Sequence, residues 1–258
     1  MATYKTEAIV LSSYPYREHD RIISLFSDAF GKIEARARGV RKIESKLAGH
    51  LEPFIKTELL LANGRKWDIL AGSRTHNPRA LIRSNINKTA AASVCVEAVK
   101  KATRPNSLER GMYAMLDQTL GALEQSQGNE ADISGQFVWR LMAAAGFSPE
   151  LGRCIHCKRA VLEGSFSCEG GGVLCNTCSE RDIYADQAPA SVLAELRETE
   201  YSFGAQAQII AKRFWNYVFD APLESWNFLD GLHTVTEHYG STTQHHKRHE
   251  EHLWHRQF

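Results

Sequence analysis

Four cysteines stand in two pairs, Cys154-Ile155-His156-Cys157 and Cys175-Asn176-Thr177-Cys178, with 17 residues between the pairs. Two residues between thiolates let both sulfurs of one turn reach a single tetrahedral ion, and a second such turn closes the shell. The spacing is that of a structural zinc site. A closed four-cysteine shell leaves no position for a substrate or a catalytic water. One zinc ion per chain would therefore shape a loop-rich segment rather than do chemistry. His156 lies inside the first turn and Cys168 between the pairs, and either could replace a thiolate. The paired set Cys154, Cys157, Cys175 and Cys178 is preferred, because pairing accounts for all four at once. Cys168 and Cys95 then read as small core residues. His50-Leu51-Glu52 with the first pair imitates the H-x-E…C-x-x-C of zinc nucleobase deaminases. Against that, Arg153 stands where the signature has proline, and the second pair already satisfies the metal.

A second group of residues is basic. Gly31 to Lys46, GKIEARARGVRKIESK, carries Lys32, Arg36, Arg38, Arg41, Lys42 and Lys46 against Glu34 and Glu44. Its first half alternates, with Lys32, Glu34, Arg36 and Arg38 on one side and Ile33, Ala35 and Ala37 on the other. A period of two predicts a half-buried strand. From Gly39 the alternation is lost and the charge is kept, which reads as a basic loop. A phosphate backbone suits such a surface best; a solvated basic face is the competing reading. Among Tyr14, Tyr16, Phe30, Phe54 and Trp67, one or two could offer a face to a base, the rest going to the core.

Other chemistry is missing. The chain has no Walker A sequence, no G-x-G-x-x-G, no G-x-S-x-G and no H-E-x-x-H. No nucleophile is paired with a base, which moves the weight from enzyme to binding protein. His245, His246, His249, His252 and His255 crowd the last residues. A helix there would put three of them on one face; a frayed tail over 241–258, or leftover expression sequence, is preferred.

The elements that must hold these groups change character along the chain. Up to about residue 80, five short strands are expected: Ala8–Leu11, Asp20–Phe26, the basic strand, Phe54–Leu61 and Trp67–Ala71. Pro15 should end the first, Gly31 should take a positive φ, and Asn63-Gly64 signals a hairpin turn. Five strands with this charge make an OB-fold-like barrel the leading expectation, with a small SH3-like barrel as alternative. Helices are then expected over 79–101, from Ser107 with Met112, Met115, Leu116, Leu120 and Leu123, and from Asp132 to Gly146. Further helices are expected over 190–200, 206–219 and 223–239. The fold class is thus α+β: a barrel over 1–80, then a helical domain over 81–240 that contains a zinc-binding segment over 150–182.

Charge follows the same division. Residues 1–83 hold 15 of the 31 lysines and arginines but 9 of the 30 acids, leaving 16 bases against 21 acids for the remainder. An anion should be met at the N-terminal end. No apolar run nears the roughly 20 residues that span a bilayer. MATYKTEAIVLSS has no basic n-region or long apolar h-region, so a cytoplasmic protein with reduced thiols is expected.

Several stretches also resemble a known family. Glu7-Ala8-Ile9-Val10-Leu11 followed by Tyr14-Pro15-Tyr16-Arg17-Glu18-His19-Asp20 looks like the first strand and turn of RecO, the bacterial recombination mediator family. Phe30-Gly31-Lys32, Ala37-Arg38-Gly39-Val40-Arg41, Ser45-Lys46 and Leu51-Glu52-Pro53-Phe54 look like its barrel signature. Phe166-Ser167 with Gly171-Gly172-Val173-Leu174-Cys175 is similar to its zinc segment. The resemblance implies a non-enzymatic protein that binds single- and double-stranded DNA, anneals complementary strands and acts with RecR. It also implies contact with single-stranded-DNA-binding protein, help in loading RecA, and a place in the bacterial cytoplasm beside the nucleoid. Glu44, Cys168 and the histidine-rich tail depart from the family's pattern. The alternative function is a zinc-containing regulator or assembly factor acting on RNA or protein.

Overall fold

The computed structural model describes residues 2–45, 47–105, 107–109, 111–197 and 203–232. Strands β1 (Thr3–Tyr16), β2 (Asp20–Ser27), β3 (Gly31–Ala37), β4 (Lys56–Ala62) and β5 (Asp68–Asn77) close a barrel in the order β1-β2-β3-β5-β4. All neighbours are antiparallel except β3 and β5, whose parallel register sets Ala35 opposite Asp68 and Arg36 opposite Ile69. The inside is filled by Ala8, Val10, Ile23, Leu25, Ile33, Ala35, Leu59 and Leu61, with Leu51 following a short 3-10 turn at Ala48–His50. The OB-like barrel expected from the strand count is therefore present.

β1 is longer than expected. Its first part, Thr3–Ile9, pairs with β4; from Ala8 to Tyr16 it pairs with β2. Past Val10, whose backbone still bonds Phe54 and Ile55, β1 has no β4 partner, so Pro15 sits opposite Arg21 without costing a central hydrogen bond. The continuous apolar runs of β1 and β2 also find their cause. Ala8, Val10 and Leu25 face the barrel interior, while Ile9, Leu11 and Phe26 join the core of the helical part. A strand buried on both faces loses its alternation. Asn63-Gly64 does not form a two-residue hairpin. β4 ends at Ala62 and β5 begins at Asp68, leaving a loop of five residues.

Helices follow: α1 (Ala80–Arg83), α2 (Ile86–Ala102), α3 (Met112–Gln125) and α4 (Glu130–Ala144). The single helix expected over 79–101 is divided, because Asn85 is extended and its side chain accepts from the Lys88 amide as the N-cap of α2. α3 starts at Met112, not Ser107, after Gly111 at φ 81°. α2 runs through the middle of the core, with Ala90, Ala91, Ala92, Val94, Cys95, Val96, Ala98 and Val99 all buried. The cysteine segment is a three-stranded sheet of β6 (Gly164–Ser167), β7 (Gly172–Leu174) and β8 (Asp186–Ala188), with α5 (Asn176–Ser179) between β7 and β8. α6 (Ala190–Arg197), α7 (Ala205–Phe219) and a helix over 224–232 complete the described chain. The histidine-rich tail and residues 233–239 of the last expected helix lie outside the described residues. Among the described residues no helix is long and apolar enough to cross a membrane.

The barrel is bound to the helices by charge as well as by apolar packing. Arg79, 5% exposed, donates to Glu124 at 2.8 Å and Asp117 at 2.5 Å. Lys56 bridges Glu7 at 3.0 Å and Asp117 at 2.9 Å. Gly31, at φ 65°, comes so near the 103–107 segment that a Cβ there would lie 2.0 Å from the Ser107 carbonyl oxygen.

Candidate nucleic-acid interface and metal centre

One end of the barrel gathers three connections: the β1–β2 turn at 17–19, the loop leaving β3 and the loop from β4 to β5. The alternation in β3 is as the sequence predicts, with Gly31, Ile33, Ala35 and Ala37 buried and Lys32, Glu34 and Arg36 between them on the outer side. The cations of that outer side do not share one environment. Lys32 donates to the Lys100 carbonyl at 2.8 Å and to the Thr103 carbonyl, at the C-terminal end of α2. An ammonium there satisfies carbonyls that have no partner within the helix and meets the negative end of its dipole. Burial draws its pKa below the ordinary lysine value. Arg36 donates from Nε to Asp20 at 2.8 Å and lies 5.4 Å from the centre of the Tyr16 ring. Both groups are engaged within the protein.

Arg38, Arg41 and Lys42 are exposed. Their loop is held at its base. Gly39 donates its amide to Asp20 at 2.8 Å, and Arg41 bonds back to the β1–β2 turn through its amide on His19 and its guanidinium on Glu18. Glu44 is exposed in the same loop, and Lys46 lies outside the described residues. Of the aromatic candidates, Phe54 is buried in the core shared with the helices and Phe30 packs on Tyr4 at 4.6 Å. Tyr14 is exposed. Tyr16 and Trp67 instead meet at this end of the barrel, edge to face, with centroids 5.0 Å apart. Arg17 lies 5.4 Å from the Tyr16 ring and Lys66 4.3 Å from the Trp67 ring. Sequence reasoning missed Arg17, Arg65 and Lys66. Arg65-Lys66-Trp67 beside Asn63-Gly64 was the available signal, a basic and aromatic loop tip. The result is cations and aromatic faces in one place, with Asp20 neutralised by Arg36 and Gly39.

The candidate metal centre is built by the other motif. The sulfurs of Cys154, Cys157, Cys175 and Cys178 lie within 4.8 Å of one another, a set that could hold a metal ion. Each pair sits on a tight turn: Lys158 donates to the Cys154 carbonyl at 2.9 Å, and Cys178 to the Cys175 carbonyl at 2.8 Å. The turns are brought together by the Ile155 amide on the Val173 carbonyl at 2.9 Å. Gly172 permits this approach, since a Cβ there would lie 2.5 Å from the Glu150 carbonyl oxygen. Burial opposes ionisation of Cys154, but backbone amides of Cys157, Cys175 and His156 outweigh it and bring its pKa to about 6. Thiolate is the form that binds metal. Cys168 is outside the cluster, and burial pushes its thiol up to about 11. His156 bonds Arg181 at 2.8 Å through Nε2. His50 bonds Thr75, and Glu52 bonds Arg21; neither joins the cysteines.

The class is that of a closed OB-like barrel with a cationic, aromatic end, joined to a helical body that carries a four-cysteine cluster. The family description "Recombination protein O N terminal" matches residues 1–79, and "Recombination protein O C terminal" matches residues 83–206. The chain is 29% identical over 242 residues to the DNA repair protein RecO of Bifidobacterium animalis subsp. lactis, covering 89% of this chain and all of that one. It is 34% identical over 177 residues to that of Dehalococcoides mccartyi, 68% of this chain and 70% of the relative. It is 32% identical over 201 residues to that of Desulforudis audaxviator, covering 76% and 78%. The chain belongs to the RecO family of DNA repair proteins, and its role is in recombinational DNA repair.

Proposed function

We propose that this protein is a non-catalytic mediator that binds single- and double-stranded DNA at the loop end of its barrel, anneals complementary strands and helps load RecA. The single observation that carries this is the meeting of Arg17 and Lys66 on the Tyr16 and Trp67 rings, beside a loop of exposed Arg38, Arg41 and Lys42 that Arg41 ties to the β1–β2 turn. Annealing needs no covalent step. It needs a surface that neutralises two phosphate backbones while bases pair. Within the basic set, Arg38, Arg41, Lys42 and Lys46 meet phosphate, and Lys32 and Arg36 position the strand that carries them.

Cys154, Cys157, Cys175 and Cys178 hold one zinc ion, whose work is to fix the fold of the segment. The sulfur-only donor set and the amides directed at Cys154 support zinc over harder cations. RecR, single-stranded-DNA-binding protein and, indirectly, RecA are the partners that family membership supports, and the cytoplasm beside the nucleoid is the setting.

The test is annealing of complementary strands coated with single-stranded-DNA-binding protein, with wild type and an Arg38→Ala/Arg41→Ala/Lys42→Ala variant. Wild type should anneal and the variant should not. Failure of wild type to anneal, with RNA preferred over DNA, would favour an RNA-directed assembly factor instead.

A further inference from the structure

We infer that the Trp67–Tyr16 pair is a stacking platform for an unpaired base, so that this end of the barrel grips single-stranded nucleic acid differently from duplex. The inference rests on the DNA-binding reading above and specifies what that site takes.

The platform is preorganised. The β4–β5 loop is held by Asn63 donating to the Ala2 carbonyl at 3.0 Å and Gly64 donating to Asp68 at 3.1 Å. A Cβ on Gly64 would lie 1.8 Å from the Trp67 carbonyl oxygen, so only glycine lets this loop close and present the indole. Tyr16 meets Trp67 at an interplanar angle of 72°, an edge-to-face contact that fixes the two rings against each other. Tyr16 is in turn held by Arg36, which is anchored on Asp20. Behind the aromatic pair, then, everything is bonded.

In front, the groups are of another kind. Lys66, exposed, lies over the Trp67 ring, and Arg17, exposed at φ 54°, lies over Tyr16. A long exposed cation above a ring is a weak, displaceable cover. A base entering there takes the ring face, and the displaced ammonium finds the phosphate attached to that base. Two exposed acids, Glu18 and Glu44, stand on the neighbouring loops. Bases in a duplex already stack on each other and offer no free face, so the platform acts only on an unpaired strand. Phosphate contacts from Arg38, Arg41 and Lys42 serve both forms. A strand held by one stacked base and released as it pairs suits annealing.

Intrinsic fluorescence of the full chain reads this directly. Among the described tryptophans, Trp139, Trp215 and Trp226 are buried, and Trp67 is half-buried. Oligothymidine should quench the emission, and Trp67→Phe should abolish the quenching while the protein still binds. Trp67→Ala should weaken oligothymidine binding about tenfold, the loss of one stacked base, with duplex affinity and the salt slopes unchanged. Quenching that persists in Trp67→Phe overturns the inference. So does a Trp67→Ala variant, folded by its thermal melt, that binds oligothymidine like wild type or weakens both forms equally. Failure of the parent reading looks different: Arg38→Ala/Arg41→Ala/Lys42→Ala would bind both forms with unchanged affinity and salt slope.

Discussion

Arg36 lies across Asp20 instead of reaching into solvent. Its Nε donates to Oδ2 at 2.8 Å, and the other carboxylate oxygen accepts the Gly39 amide at 2.8 Å. One carboxylate thus ties the start of β2 to the end of β3 and to the loop that carries Arg38, Arg41 and Lys42. The Gly39 amide, helped by Arg36 and against partial desolvation, holds the Asp20 carboxyl below its ordinary pKa.

Asp20→Ala should therefore cost about 2 kcal/mol, within the range for a hydrogen bond to a charged group, and weaken DNA binding by loosening that loop. The depressed pKa sets the sign of the pH dependence. Asp20 contributes stability that is complete above about pH 4 and lost as pH falls through its folded value. Urea melts at pH 7 and pH 3 should show the two proteins converging in acid.

Lys32 and the loop cations should separate cleanly. Lys32→Met removes the ammonium from the Lys100 and Thr103 carbonyls. It should lower stability by about 1 kcal/mol and leave the salt slope of single-strand binding intact. Arg38→Ala/Arg41→Ala/Lys42→Ala should do the opposite, flattening that slope by about two units with little effect on the melt. Equal slopes in the two variants would remove the distinction.

Arg79 has two demands on it, a left-handed backbone at φ 48° and a guanidinium between Asp117 and Glu124. Arg79→Ala should destabilise by about 3 kcal/mol, because the partly buried Glu124 loses its cation and Asp117 keeps only Lys56. Arg79→Gly should be the milder variant by about 1 kcal/mol, since glycine relieves the backbone term. Chemical denaturation of both variants checks the order.

Cys175→Ser should release bound metal and lower the thermal midpoint by several degrees, while oligothymidine binding at low temperature persists. Metal content by mass spectrometry should fall from one zinc per chain to well below that. Unchanged metal content would reassign the ligand set.

Much of this protein is set by local sequence. Each C-x-x-C turn presents two sulfurs to one side because it is closed by its own short hydrogen bonds. The period-two pattern of β3 sorts Ile33, Ala35 and Ala37 inward for the same local reason. Other features depend on which surfaces meet. Nothing near Pro15 tells that β1 has no β4 neighbour there, so the strand continues through it. Nothing near Lys32 or Arg36 tells that one faces a helix end and the other a carboxylate 16 residues away. Charge patterning counted six cations as one surface. The tertiary structure engages Lys32 and Arg36 within the protein, leaves Arg38, Arg41 and Lys42 exposed, and brings Arg17 and Lys66 to them through loops distant in sequence. A side chain's charge is a local property, but its freedom to meet a phosphate depends on what the fold places beside it.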